Sequence, residues 1–173
     1  MTARIRTIDL DRFAECLPGL ADLLIDAVDS GASIGFWAPL APADAVLYWR
    51  EVMQGLVDGN LVLLVAEDAG EVVGSVQLLL SGRQNGHHRA EIRKLMVRNS
   101  HRGHGLGRAL LSAAHVEASY RGRTLLILDT RTGDAGERLY VSMGYSRAGE
   151  IPGFTIEPDG ARHGVSFFYH VLP

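Results

Sequence analysis

Apolar residues recur along this chain with two periods, and the switches between them predict the order of its elements. Residues 4–8 alternate polar and apolar, the two-residue period of a strand. Over 13–28 the apolar positions return every three or four residues, as on one face of a helix. Asp9 and Asp11 stand where an N-cap is expected, and Pro18 predicts a restart, since proline suits a first turn and breaks an interior. A loop with aromatic content follows at 31–36. A second helix is predicted over 42–57, opened by Pro42 and ended by Asp58-Gly59-Asn60. Residues 61–67 form a buried strand, and Asp68-Ala69-Gly70-Glu71 turns the chain back into a strand over 72–80. A polar loop at 81–88 leads to a strand over 90–97. A long helix is predicted over 106–120 and ends at Gly122. Residues 124–129 are a buried strand, 135–143 a short helix closed by Gly144, and 145–151 and 165–172 the last two strands. Pro152-Gly153 and Pro158-Asp159-Gly160 bound the loop between those strands.

The order is therefore β-α-α-β-β-β-α-β-α-β-β. Three consecutive middle strands favour an antiparallel meander. The strand–helix–strand unit after them favours a parallel pair with a right-handed crossover. The expected fold is a mixed α/β (α+β) sheet of seven strands, mostly antiparallel, with helices on both faces. At 173 residues the chain reads as one domain over 1–173, with no internal repeat and no linker.

Composition narrows the function classes. A net charge of -3 argues against nucleic acid as a partner, because no basic excess exists to neutralise phosphates. Arg98, Arg102 and Arg108 cluster locally, which suits a small polyanion. Cys16 is the one cysteine, so an intrachain disulfide is impossible, a zinc–thiolate site is not expected, and a buried inert thiol is. His87, His88, His101 and His104 match no metal-ligand spacing, so no metal is expected. The apolar stretches are too short to span a bilayer, and no signal-peptide pattern opens the chain, so no membrane partner and a cytoplasmic setting are the default expectation.

The chemistry concentrates in Arg102-Gly103-His104-Gly105-Leu106-Gly107-Arg108. This run leaves a strand and opens a helix. Its glycines let the backbone approach a ligand, and the unpaired amides of a helix start suit a phosphate or pyrophosphate. A Walker loop would need a following lysine and hydroxyl, which are lacking. Both Gly-x-Gly-x-x-Gly frames fail, at Arg108 and at Leu110. Asp129 does lie at a ribose-binding distance downstream, but the preceding meander is not a mononucleotide-binding half. The remaining pattern is Arg/Gln-x-x-Gly-x-Gly/Ala, carried by Arg102, Gly105 and Gly107.

That pattern and the strand order resemble the GNAT N-acetyltransferases. A wider set of segments resembles the tabtoxin-resistance branch of that family: Gly31 to Phe36, Asn85-Gly86, Arg89-Ala90-Glu91, Lys94 to Val97, Leu128-Asp129-Thr130, Gly149 to Gly153 and Pro158-Asp159-Gly160. The resemblance implies that the amides of Gly103, His104, Gly105, Leu106, Gly107 and Arg108 hold the pyrophosphate of acetyl-CoA, with Arg102 and Arg108 adding charged contacts. It implies that the backbone of Leu95, Met96 and Val97 pairs with the pantetheine arm. Glu91 and Asp129 are the acids placed to bind or deprotonate an amine, and burial would suit either to the work of a base. Tyr140, in Leu139-Tyr140-Val141-Ser142-Met143-Gly144-Tyr145, matches the family's candidate acid for the leaving thiolate. The family often has asparagine seven residues before this tyrosine, and Gly133 stands there instead.

The expected activity is transfer of an acetyl group from acetyl-CoA to a small-molecule amine, by direct attack in a ternary complex. The resemblance points to a toxin or antibiotic as acceptor. Phe36, Trp37, Trp49 and Phe154 are expected to wall the acceptor pocket, and Arg131 is placed to meet a substrate carboxylate. A homodimer is one assembly compatible with such a chain. A non-catalytic CoA-binding regulatory module is the alternative, although a sensor needs neither the carboxylates nor Tyr140.

Overall fold

The computed structural model describes residues 3–173. Its elements are β1 (Arg4–Thr7), α1 (Leu10–Asp29), α2 (Pro42–Val57), β2 (Leu61–Asp68), β3 (Glu71–Leu80), β4 (Arg89–Val97), α3 (Leu106–Tyr120), β5 (Leu125–Arg131), α4 (Ala135–Ser142), β6 (Ser146–Ile156) and β7 (Arg162–Val171). The order follows the periodicity, with two departures. α1 passes through Pro18 without restarting. Pro18 is exposed, so water satisfies the carbonyl it leaves free, while buried Phe13, Leu20, Leu23 and Leu24 hold the helix on either side of it. β6 runs through Pro152-Gly153 and ends only at Ile156. It is an edge strand, and between Ile151↔Val165 and Thr155↔His163 it advances four residues while β7 advances two. A bulge on an edge strand tolerates proline, and Gly153 takes the left-handed φ of 63° that the bulge needs.

The seven strands pair in the order β1-β2-β3-β4-β5-β7-β6. Every pairing is antiparallel except β4 with β5. Alternation along the strands feeds two cores. Val62, Leu64, Val76, Leu78, Ile92 and Leu126 pack beneath Leu110, Leu111, Ala114 and Ala118 of α3. On the opposite face, Leu63, Val65 and Met96 pack beneath α1 and α2, with Leu20, Leu24 and Trp49. A side chain at Gly74 would meet Leu110 Cδ1 at 2.9 Å and the Met96 carbonyl at 3.1 Å, so this glycine sets how closely α3 approaches the sheet. Truncating a fully buried leucine such as Leu110 would cost about 2–5 kcal/mol.

The C-terminal half of α3 is fixed by an aromatic stack. His115 stacks on His170 with ring centroids 5.0 Å apart. Burial, followed by the neighbouring His170, pushes the His115 pKa down to about 4. The imidazole is therefore neutral, and its Nε2 shares a hydrogen bond with the Tyr145 hydroxyl at 2.8 Å. Cys16 is buried. Among the described residues, no helix is long and apolar enough to cross a membrane.

Candidate active site

The site begins where the parallel pair fails. β4 and β5 pair only from Arg89↔Leu125 to Glu91↔Ile127, then part. Beyond Glu91, β4 offers an edge without a strand partner on that side. There it also bulges: Arg93 faces Gln77 and Met96 faces Ser75, so Lys94 and Leu95 together stand against Val76. Lys94 takes a left-handed φ of 47° to make the bulge. Leu95 and Val97 pack toward α3, and Met96 is buried beneath α1 and α2. Their side chains are core, while their backbone forms the open edge.

The glycine loop joins the end of β4 to α3. Gly103 and Gly105 have φ of 80° and 82°, and nothing lies within 4 Å of where a side chain would start on either. Gly105 is the N-cap of α3 and makes no side-chain cap, so the first-turn amides at Leu106, Gly107 and Arg108 point out of the helix without an intrahelical acceptor. His104 is exposed, Leu106 is half-buried against the α3-side core, and Gly107 lies beneath Leu139 of α4. A left-handed turn, open space and orphan amides together form a cradle that fits a pyrophosphate. The two arginines also make contacts within the fold. Arg102 donates Nε to the Val97 carbonyl at 3.0 Å and Nη2 to Ser30 Oγ at 2.7 Å, bracing the loop against α1. Arg108 donates Nη2 to Ser142 Oγ at 2.7 Å and Nη1 to Met143 Sδ at 2.9 Å, tying α3 to the end of α4.

The two acids flank the gap as expected. Glu91 is the last residue of β4 paired with β5, and Asp129 lies two residues past the last residue of β5 paired with β4. The expected burial is absent: Asp129 is exposed, and Glu91 is half-buried with its Oε1 3.3 Å from Arg93 Nε. That pairing suits Glu91 to holding charge and leaves Asp129 as the freer carboxylate. Tyr140 combines a buried ring with a hydroxyl that bonds no described group and is not sealed from solvent. Burial first, then the Asp129 carboxylate, push its pKa up to about 12. The phenol is therefore protonated at any physiological pH, as a donor must be. Gly136 gives Tyr140 room, since a side chain there would meet Thr130 Oγ1 at 3.0 Å and the tyrosine ring at 3.3 Å. Gly133 has φ 85° and donates its N–H to Glu137 Oε2 at 2.9 Å.

A cavity of about 580 Å³ opens between the α1–α2 loop and α2, lined by Phe36, Trp37, Leu47, Tyr48 and the acids Asp44 and Glu51. Trp37 is 56% exposed, and its Nε1 donates to the Ile156 carbonyl at 3.0 Å, joining the loop to β6. Phe154 is exposed and meets Phe167 edge-on at 5.8 Å. Trp49 does not belong to this wall. It is fully buried between α1 and α2 and donates Nε1 to the Leu20 carbonyl at 2.8 Å, because it falls on the α1-facing side of α2 with Ala45 and Val52. Arg131 is held 3.3 Å from Glu157 and also contacts His163 Nε2, so part of its guanidinium is already engaged. A larger charged groove of about 920 Å³ is lined by Arg4, Arg12, Glu67 and Arg98 among others; neither it nor the 580 Å³ cavity includes a residue of the glycine loop, the two acids or Tyr140.

Lys94 is the residue that periodicity passes over. Its Nζ donates to the Ile34 carbonyl and lies 5.9 Å from the Phe36 ring centroid and 5.8 Å from that of Tyr48. The signal was the break in alternation: two polar residues, Arg93-Lys94, precede three apolar ones, the signature of a strand that shifts phase.

Comparison with known proteins agrees with this geometry. Residues 59–147 match the acetyltransferase (GNAT) domain family. The chain is 33% identical over 88 residues to N-acetyltransferase 8F1 of Rattus norvegicus, a match covering 50% of this chain and 40% of that protein. It thus spans well under half the length of the curated relatives it matches. Ribosomal-protein-alanine N-acetyltransferase from Brucella melitensis superposes with a TM-score of 0.81 at 26% identity, over 98% of this chain and 99% of that one. A GNAT superfamily phosphinothricin acetyltransferase from Sinorhizobium meliloti, solved in complex with AcCoA, gives 0.81 at 20% identity over 99% and 89%. The family match spans the strand, bulge, glycine loop, long helix and Tyr140, and the chain belongs to the GNAT acetyltransferase family.

Proposed function

We propose that residues 1–173 act as one acetyltransferase domain that moves an acetyl group from acetyl-CoA to the amine of a small molecule. The observation that carries this reading is the β4–β5 gap, which leaves β4 an open strand edge beyond Glu91; the open space at Gly103 and Gly105 supports it. Acetyl-CoA supplies an activated thioester. Amides 103–108 hold its pyrophosphate, and the backbone of Leu95, Met96 and Val97 aligns its arm. A backbone N–H on that edge is suited to stabilising the negative charge that develops on the carbonyl oxygen. A protonated alkylamine, with a pKa of about 10.4, has no lone pair to attack with. Glu91 holds the cation and Asp129 takes one proton from it; the amine nitrogen then bonds to the acetyl carbon as the carbon–sulfur bond breaks, the Tyr140 hydroxyl protonates the departing sulfur, and the nitrogen's second proton restores the phenol.

The acceptor class read here is a small-molecule amine, and the Trp37–Ile156 hydrogen bond joins the α1–α2 loop to the end of β6. A toxin or antibiotic amine is the class that the sequence resemblance favours, and a cytoplasmic setting would suit that role. The test is free-thiol release from acetyl-CoA across β-lactam-containing dipeptides, diamines and aminoglycosides, beside calorimetry with acetyl-CoA and NAD. Acetyl-CoA binding with amine-dependent thiol release is expected. Acetyl-CoA binding with no turnover on any amine would favour the regulatory module, and NAD binding without CoA binding would overturn the reading.

A further inference from the structure

We propose that Lys94 is a positioning residue that fastens the acceptor-side loop to the cofactor-side strand. This rests on the acetyl-transfer reading. The α1–α2 loop, residues 30–41, contains no helix or strand, yet it carries Phe36 and Trp37 of the acceptor wall. Lys94 reaches it from the β4 bulge, one residue before the strand edge assigned to pantetheine. Three contacts make the junction specific. The ammonium donates to the Ile34 carbonyl. It lies near the faces of Phe36 and Tyr48, which themselves meet edge-to-face at 5.4 Å. Gly35, at φ 92°, brings its backbone so close that a side chain there would start 3.5 Å from Nζ.

Tyr48 is anchored in turn, its hydroxyl accepting from Gln77 Nε2 at 2.8 Å, and Gln77 stands opposite Arg93 in the sheet. The chain of contact therefore leaves β4 and returns to it. A non-glycine residue in the left-handed region is strained, and such strain persists where the surroundings demand it. The strain at Lys94 buys two outcomes at once: a β4 edge shifted in phase for the cofactor, and a cation aimed at the loop. Burial lowers the pKa of this ammonium, as does Arg93, while Asp129 and Glu91 oppose the shift.

The test compares Lys94→Met, which keeps length and apolar bulk, with Lys94→Arg, which keeps the charge. Acrylamide quenching reads the loop directly, because Trp37 is exposed and Trp49, the other tryptophan, is fully buried. For Lys94→Met we expect quenching to rise at least twofold and acetyl-CoA affinity to stay within twofold. With the amine that releases thiol fastest in the panel above, KM for that amine should rise about tenfold or more with kcat within threefold. Lys94→Arg should recover most of the quenching protection and of the KM. Unchanged quenching and unchanged KM in Lys94→Met would overturn the proposal. So would a fall in kcat alone, or equal losses in Lys94→Arg and Lys94→Met. If wild type binds no acetyl-CoA, the acetyl-transfer reading fails on its own, and the quenching comparison still decides whether Lys94 holds the loop.

Discussion

The two sides of the β4–β5 gap are built from different materials. On the proposed cofactor side the working groups are backbone: amides at the start of α3, the free edge of β4, and left-handed glycines that leave open space. On the proposed acceptor side they are side chains: Phe36 and Trp37 of the α1–α2 loop, which line a cavity with α2, and the proposed Glu91, Asp129 and Tyr140 of β4, β5 and α4. A backbone site tolerates variation in most side chains but demands glycine at fixed spacing. A side-chain site demands particular groups and lets their sequence positions scatter. The first can be recognised from a handful of adjacent letters; the second exists only after folding.

The sharpest break between the two sides is expected at Tyr140. Tyr140→Phe removes one hydroxyl that bonds no described residue, so the fold loses nothing. Turnover should fall about 100-fold, at the low end of what a positioned acid contributes. Acetyl-CoA affinity, which the backbone side sets, should stay within twofold by calorimetry. A Tyr140→Phe enzyme with wild-type kcat would remove the tyrosine from the chemistry.

The carboxylates come next and separate holding from proton transfer. Asp129→Asn should lower kcat about 30-fold with a modest change in KM. Glu91→Gln should act mainly on the acceptor KM, about tenfold, because Glu91 already faces Arg93 and serves as a charge. Steady-state kinetics on both variants tests the division. The reverse pattern would exchange the two roles, and wild-type kinetics in both would clear the site of acids.

These residues also show what could be read before folding. The element order and the α2 and α3 boundaries were legible, and so was the placing of the glycine loop between β4 and α3, because period, turn chemistry and spacing are local properties. Pro18 misled because whether a proline breaks a helix depends on whether the freed carbonyl faces water, a tertiary fact. Trp49 misled because adjacent aromatic residues on α2 point different ways: Tyr48 toward the sheet and Trp49 into the α1 interface. Arg102 and Arg108 were visible as charges, but their partners, Ser30 and Ser142, lie 72 and 34 residues away.

On the backbone side, Gly105→Val should weaken acetyl-CoA binding about tenfold or more. A residue with a side chain loses about 1–2 kcal/mol in the left-handed region, and it would also occupy space kept for the ligand. Because the side-chain half is untouched, kcat at saturating acetyl-CoA should change by less than threefold. Calorimetry beside saturation kinetics checks both halves. A Gly105→Val protein that binds acetyl-CoA as tightly as wild type would show that the cradle lies elsewhere.

Gly133 carries the smallest expected effect and tests where the boundary between the two sides runs. It stands where the family often has asparagine, so either a side-chain contact has been lost or the position asks only for a backbone conformation. Its φ of 85° and its N–H bond to Glu137 favour the second. Asparagine enters the left-handed region several-fold more readily than most residues, and nothing lies within 4 Å of a side chain starting there. Gly133→Asn should therefore change the urea midpoint by the equivalent of about 0.5 kcal/mol or less, whereas Gly133→Val should cost about 1–2 kcal/mol. Acetyl-CoA affinity and kcat should stay within twofold in Gly133→Asn. A gain of more than about fivefold in either would mean that position 133 faces the reacting groups, and that the side-chain half of the site extends into the loop between β5 and α4.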